Sequence, residues 1–242
     1  MRKLIGIVSE GPTDYMILKS VIDRITGENN RYLSLQPEKD MLGRYGNGWK
    51  GVWRWCKETE SVKMLMEGIQ PSMDAVVIQM DGDVIRKEKE VHCFCESTHC
   101  NDKGTVFPLY CSKKEKDCPV VLPCGSHEEG ITGIVEYGKV VLREAIGEDV
   151  AKIAITIPCD STDAWVVASY ESEIDDIEKF ENPWKNVISK GKYYHGIRVR
   201  GEKKSTITYA LFTGNVVEKW NLVTEKCISA RIFEHDIKRM LL

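Results

Sequence analysis

Ile5-Gly6-Ile7-Val8-Ser9-Glu10-Gly11-Pro12-Thr13-Asp14 and Ala75-Val76-Val77-Ile78-Gln79-Met80-Asp81-Gly82-Asp83 are two short apolar runs, each ending abruptly in carboxylates. A run of this length, closed by Gly-Pro or Asp-Gly, reads as a strand buried on both faces. In open α/β sheets the chemistry collects outside the carboxyl ends of such strands. If the two strands are adjacent, Glu10, Asp81 and Asp83 share one crevice. Carboxylates crowded in this way repel one another unless a proton or a cation lies among them. A hard divalent cation, Mg²⁺ or Mn²⁺, suits an all-oxygen set.

The order of elements around these residues is strand, helix, strand, helix, strand. Tyr32-Leu33-Ser34-Leu35 is the second strand, a helix is expected from about Val52 to Glu67, and the Asp81-Gly82-Asp83 strand follows. That alternation predicts a parallel sheet with crossover helices. Pro12 and Thr13 mark the start of the first helix, with Thr13 read as its cap and Asp14 favourable near the positive helix end. Met16, Ile17, Val21, Ile22 and Ile25 give it an apolar face, and Gly27 stops it.

Glu10-Gly11-Pro12-Thr13-Asp14 opening a helix, followed by a later apolar strand ending Asp81-Gly82-Asp83, resembles the Toprim domain of topoisomerases, bacterial primases and the small nucleases of the OLD group and phage-defence systems. The resemblance covers about the first two-thirds of the chain, with one large interruption. It implies an α/β Toprim-like core with helices on both faces. It also implies a Mg²⁺- or Mn²⁺-dependent nuclease with Glu10, Asp81 and Asp83 as catalytic and metal-binding residues. Asp163-Ala164-Trp165, after a late strand, resembles a string found in small stand-alone Toprim-like proteins and adds Asp163 to the metal set; its plain alternative is an acid in a first helical turn. Work beside an ATPase partner in antiviral defence is a further implication of the resemblance.

Composition sets wide bounds. The 242 residues are 42% hydrophobic and 29% charged, with a net charge of −3, which suits a globular chain with a real core. No apolar stretch reaches membrane-spanning length, and Met1-Arg2-Lys3 runs straight into a strand, so a cytoplasmic protein without a signal peptide or membrane association is expected. Nine cysteines in that setting read as thiols or metal ligands rather than a disulfide framework.

From Val84 to Glu129 the apolar periodicity lapses. This insert carries Cys93, Cys95, Cys100, Cys111, Cys118 and Cys124 with His92, His99 and His127. Thiolate and imidazole suit a structural Zn²⁺, although no Cys-x-x-Cys pair occurs and free cysteines on an arm are the other reading. A helix from Gly130 to Ile146 and a strand from Ala151 to Ile157 then resume the pattern. Residues 1–170 are thus read as the catalytic domain interrupted by residues 84–129, and residues 171–242 as an α-rich C-terminal extension ending in a helix from about Ile228.

Two basic stretches are candidates for nucleic acid. Gly43 to Gly51 joins four glycines to Arg44 and Lys50, with Trp49, Trp53 and Trp55 close behind. Glycines let amides approach phosphates, and aromatics offer stacking faces. The plain reading packs these tryptophans into the core. The second stretch holds Lys190, Lys192, Arg198, Arg200, Lys203 and Lys204 against the single acid Glu202. Near a metal site such cations would supply phosphate contacts; elsewhere they are a solvated face. Other functions stay open at this stage. One is a haloacid-dehalogenase-like phosphatase with Asp81 as nucleophile, Asp83 as acid/base, and Lys139 and Asp160 or Asp163 in support. Another is a non-catalytic nucleic-acid adaptor, and a homo-oligomer is compatible with each.

Overall fold

The computed structural model describes residues 2–37, 48–86, 130–148, 151–201 and 204–242, the side chain of Lys50 excepted. The strands β1 (Leu4–Val8), β2 (Arg31–Gln36), β3 (Ala75–Gln79) and β4 (Ile153–Thr156) form one sheet in the order β2-β1-β3-β4. Every pairing is parallel, with Ile7 opposite Val77 and Ile78 opposite Ile155.

The apolar runs lack polar alternation because both faces are covered. Ile5, Ile7, Ala75, Val77 and Ala154 face one apolar cluster, whereas Leu4, Val8, Val76, Ile78 and Ile155 face another. Each of the buried valine, leucine and isoleucine side chains among them contributes about 1.5–3 kcal/mol. Turning any strand by one residue would exchange the two sets, so register is tightly specified.

Helix α1 (Pro12–Thr26) lies on the first face and buries Ile17, Leu18, Val21 and Ile22. Its cap is the extended Gly11, with Pro12 at the first helical position; Thr13, expected as the cap, lies inside the helix. Proline's fixed φ and missing N–H suit that first position, which displaces the cap by two residues. Gly27 ends the helix in the left-handed region, as its position suggests.

On the second face, the single helix expected over Val52–Glu67 is two helices, α2 (Gly48–Glu58) and α3 (Val62–Gly68). Ser61 breaks the run by accepting from the Met64 amide at 3.2 Å. The Glu148 carboxylate completes the cap, taking the Ser61 hydroxyl at 3.1 Å and the Val62 amide. Trp49, Trp53 and Trp55 are partly buried against this cluster, which is the plain reading of those residues.

After β3 comes a single turn, α4 (Asp83–Arg86), and then α5 (Gly130–Ile146), which packs on the second face. Helix α6 (Asp163–Tyr170) follows β4 and is buried along almost its whole length. The remaining elements are a 3₁₀ turn (Ile177–Lys179), α7 (Pro183–Ser189) and the hairpin β5 (Tyr193–Tyr194) and β6 (Ile197–Arg198). Helices α8 (Thr206–Glu218), α9 (Trp220–Lys226) and α10 (Ile228–Leu241) complete the chain. At the hairpin turn His195 and Gly196 both have positive φ, which matches the twist of two-residue hairpins.

The segment after residue 170 covers the first face of the sheet. Trp220, Phe233, Tyr209 and Phe212 share one cluster with Ile5, Ile7 and α1, and Trp165 stacks on Phe233 at 5.7 Å. The cysteine-rich residues 93–124 lie outside the described residues, and with them the zinc expectation. Cys56, Cys159 and Cys227 are buried thiols. No helix among the described residues is long and apolar enough to cross a membrane.

Candidate active site

The strand order places β1 and β3 side by side, yet their following connections diverge. From β1 the chain moves to β2 over the first face, and from β3 it moves to β4 over the second. Such a switch point opens a crevice beyond the strand ends. Glu10 and Asp81 stand there, two residues past their strands.

A closed set of hydrogen bonds locks them together. Gln79, fully buried at the end of β3, accepts the Glu10 amide at 3.0 Å and donates to Asp81 Oδ1 at 2.6 Å. The Asp81 amide in turn donates to Glu10 Oε1 at 2.7 Å. Gln79 is thus the clamp between the two motifs. Its one signal in the sequence is a polar residue inside an apolar strand.

The Asp81-Gly82-Asp83 turn is also tied to the chain beyond β4. Gly82 N donates to Pro158 O at 2.8 Å, and Asp83 N donates to Asp160 O at 2.9 Å. A β-carbon on Gly82 would stand 3.0 Å from both Pro158 O and Cys159 Sγ. Only glycine lets the two loops lie this close.

Asp14, in the first turn of α1, is buried and accepts the Thr162 hydroxyl at 2.5 Å. Asp163 follows in the same loop, with its side chain 2% exposed. Its Oδ2 takes Lys204 Nζ at 2.5 Å and the Ser161 hydroxyl at 3.1 Å, while Oδ1 takes the Tyr209 hydroxyl. Asp163 therefore reaches the shared edge, as the sequence suggests, but both its oxygens are engaged by neighbouring donors. Thr162 and Tyr209 carry no sequence signal, because their partners lie far away along the chain.

A cleft of about 310 Å³ opens beside these groups, lined among others by Asp81, Asp83, Asp160, Asp163, Lys185 and Lys204. Burial raises the Glu10 carboxyl well above the ordinary carboxylate range. Asp83 and Asp14 push it the same way, against the Asp81 amide and Lys204. Asp81 is raised well above its usual value by burial and then by Glu10, Asp14 and Asp83. Burial also raises Asp14, opposed by the Thr162 hydrogen bond and Lys204. Glu10 and Asp81 keep part of their surface open to solvent, which moderates these shifts without reversing them. The cause is uncompensated negative charge in a poorly hydrated place.

That donor chemistry fits Mg²⁺ or Mn²⁺: hard carboxylate oxygens on three chain segments, with charge to spare. Among the described residues no three His, Cys, Asp or Glu side chains already stand in a metal-holding arrangement.

The remaining candidates separate by position. Lys192, Arg198 and Arg200 are exposed on and beside the β5-β6 hairpin. Lys204, read with them as a candidate phosphate contact, instead turns into the carboxylate group because Asp163 is there to receive it. Arg44 and Lys203 lie outside the described residues, as does the Lys50 side chain. Gly48, where the glycine-rich stretch becomes helix, meets the site directly: a β-carbon there would lie 3.4 Å from Glu10 Oε2. Lys139, the lysine a phosphatase would need, sits in a buried ion pair with Asp236 at 2.9 Å and does not line the cleft. Compared with protein-family models, with curated proteins and with solved structures, the chain matches none of them.

Proposed function

We propose that this chain is a divalent-metal-dependent nuclease with a Toprim-like catalytic core, hydrolysing phosphodiester bonds in DNA or RNA. The observation that carries the reading is the clamp at the switch point. Glu10 and Asp81, from separate motifs, are bound to each other and to Gln79, and Asp83 follows on the same turn. A phosphatase built on Asp81 and Asp83 alone leaves Glu10 without a task and Lys139 out of reach.

Asp81, Asp83 and Glu10 would hold Mg²⁺ or Mn²⁺. When bound, such an ion polarises the phosphoryl group and lowers the pKa of a coordinated water. The chain's own contribution is positional. The Asp81 amide fixes one Glu10 oxygen, so the other is the oxygen left to accept a proton at the Gly48 side. Thr162 and Lys204 hold Asp14 and Asp163 at the rear of the site. The exposed Lys192, Arg198 and Arg200 offer contacts for a polyanion. Action with an ATPase partner in antiviral defence belongs to this reading through the family resemblance alone, and a structural Zn²⁺ through the cysteine pattern alone.

The test is cleavage of single- and double-stranded DNA and RNA with Mg²⁺, with Mn²⁺ and with chelator. The wild type is expected to cut at least one substrate only with metal. Glu10→Gln, Asp81→Asn and Asp83→Asn should each lose activity by about a hundredfold or more, while apo thermal stability holds or rises as repulsion is relieved. Full cleavage by Asp81→Asn in Mg²⁺ refutes the reading. Turnover of small phosphate esters without nucleic-acid cleavage returns the phosphatase.

A further inference from the structure

Lys204 stands where its charge needs explaining. Its Nζ lies 2.5 Å from Asp163 Oδ2, at the wall of the cleft that Asp81 and Asp83 also line. Asp163 is almost wholly buried, yet the lysine that neutralises it is not: its side chain keeps 37% exposure. The strands end in Glu10, Asp14, Asp81, Asp83 and Asp163, all around one edge. Lys204 is the cation in direct contact with this group among the described ion pairs. Lys185, the other cation at the cleft, has an exposed side chain.

The contact is built rather than incidental. Asp163 is held from two further sides, by the Ser161 and Tyr209 hydroxyls, so its carboxylate is aimed before the lysine arrives. Lys204 is followed at once by Ser205, which caps α8 through the Thr208 amide at 3.2 Å. The helix that presents Tyr209 therefore also anchors the lysine. Tyr209 and Lys204 approach the two oxygens of one carboxylate from a single short segment.

We propose that Lys204 is the resident counter-cation of the carboxylate group, holding these acids together before metal binds and competing electrostatically with the divalent ion that the site takes up. This rests on the metal-dependent reading above. Two positive charges cannot share so small an acidic site without cost, so occupancy by one weakens the hold on the other. Lys204 is in this sense a positioning residue whose charge sets metal affinity. The basic run Lys190 to Lys204 accordingly divides between the site, through Lys204, and open solvent, through Lys192, Arg198 and Arg200.

The discriminating variant is Lys204→Gln, which keeps a donor for Asp163 and removes the charge. Calorimetric titration with Mn²⁺, without any substrate, should show about tenfold tighter binding than wild type. Lys204→Arg, which keeps the charge, should bind as wild type does. Thermal unfolding in chelator should show Lys204→Gln less stable than wild type, with saturating Mn²⁺ closing the gap. Unchanged or weaker Mn²⁺ affinity in Lys204→Gln overturns the proposal. A Lys204→Gln chain that is unfolded in chelator but folds with Mn²⁺ supports it, and one that stays unfolded with Mn²⁺ overturns it. If neither wild type nor Lys204→Gln binds Mn²⁺ or Mg²⁺, the metal reading itself falls, a result distinct from the others.

Discussion

Glu178 shows how a single carboxylate can govern stability away from the cleft. It is 2% exposed and receives the Ser229 amide at 3.2 Å on both oxygens, as well as the Ser229 hydroxyl. It thereby caps α10, whose own cap residue, Cys227, offers no side-chain bond. Burial pushes its carboxyl from 4.5 up to about 7, more than these hydrogen bonds pull it down. The folded chain thus keeps a proton that the unfolded chain releases. This contribution to stability is full below 4.5 and is lost as pH rises through about 7. Glu10, Asp14 and Asp81 slope the same way, so the informative quantity is a difference. Glu178→Gln should flatten the pH dependence of thermal stability between 4.5 and about 7 relative to wild type, by at most about 3 kcal/mol across the window. Melts across that range check it; an unaltered slope means that Glu178 stays ionised in the fold.

At the scale of elements, the site depends on two loops that lie against each other beyond β3 and β4. Gly82→Ala would drive a β-carbon to 3.0 Å from Pro158 O, a backbone atom that can yield only if its loop moves. The loops must part, at a cost of about 1–3 kcal/mol, and Asp81 and Asp83 move with them. The expected result is a lowered melting temperature together with weaker Mn²⁺ binding; native values for both would show that the loops separate freely. This pairing is only half legible in the chain. The strands themselves can be read, because burial on both faces leaves Ile5–Val8 and Ala75–Ile78 almost wholly apolar. Their convergence on Glu10 and Asp81 follows from the strand-end rule. The break between α2 and α3 cannot be read, since Glu148, which caps α3, is 86 residues from Val62. Nor can the engagement of Asp163, whose partners Lys204 and Tyr209 are 41 and 46 residues distant. Local chemistry shows through in sequence; a donor delivered by a remote helix does not.

For the molecule as a whole, net charge and local charge point in opposite directions. The chain carries −3 overall, and Glu10, Asp14, Asp81, Asp83 and Asp163 gather at the sheet edge, while Lys192, Arg198 and Arg200 project from the hairpin. A polynucleotide reaching the carboxylates would meet these cations only if it ran along that side. Its affinity there would come from counterion release and would fall steeply with salt. Replacing Arg198 and Arg200 together by Ala should weaken binding and flatten the logarithmic salt slope by about one for each phosphate that is no longer neutralised. Mn²⁺ affinity should stay at the wild-type value, because neither arginine touches the carboxylate group in the way Lys204 does. Binding of a fluorescent oligonucleotide across a salt series, with Mn²⁺ titrated separately, checks both halves. A double variant with the wild-type slope would make the hairpin a solvated face.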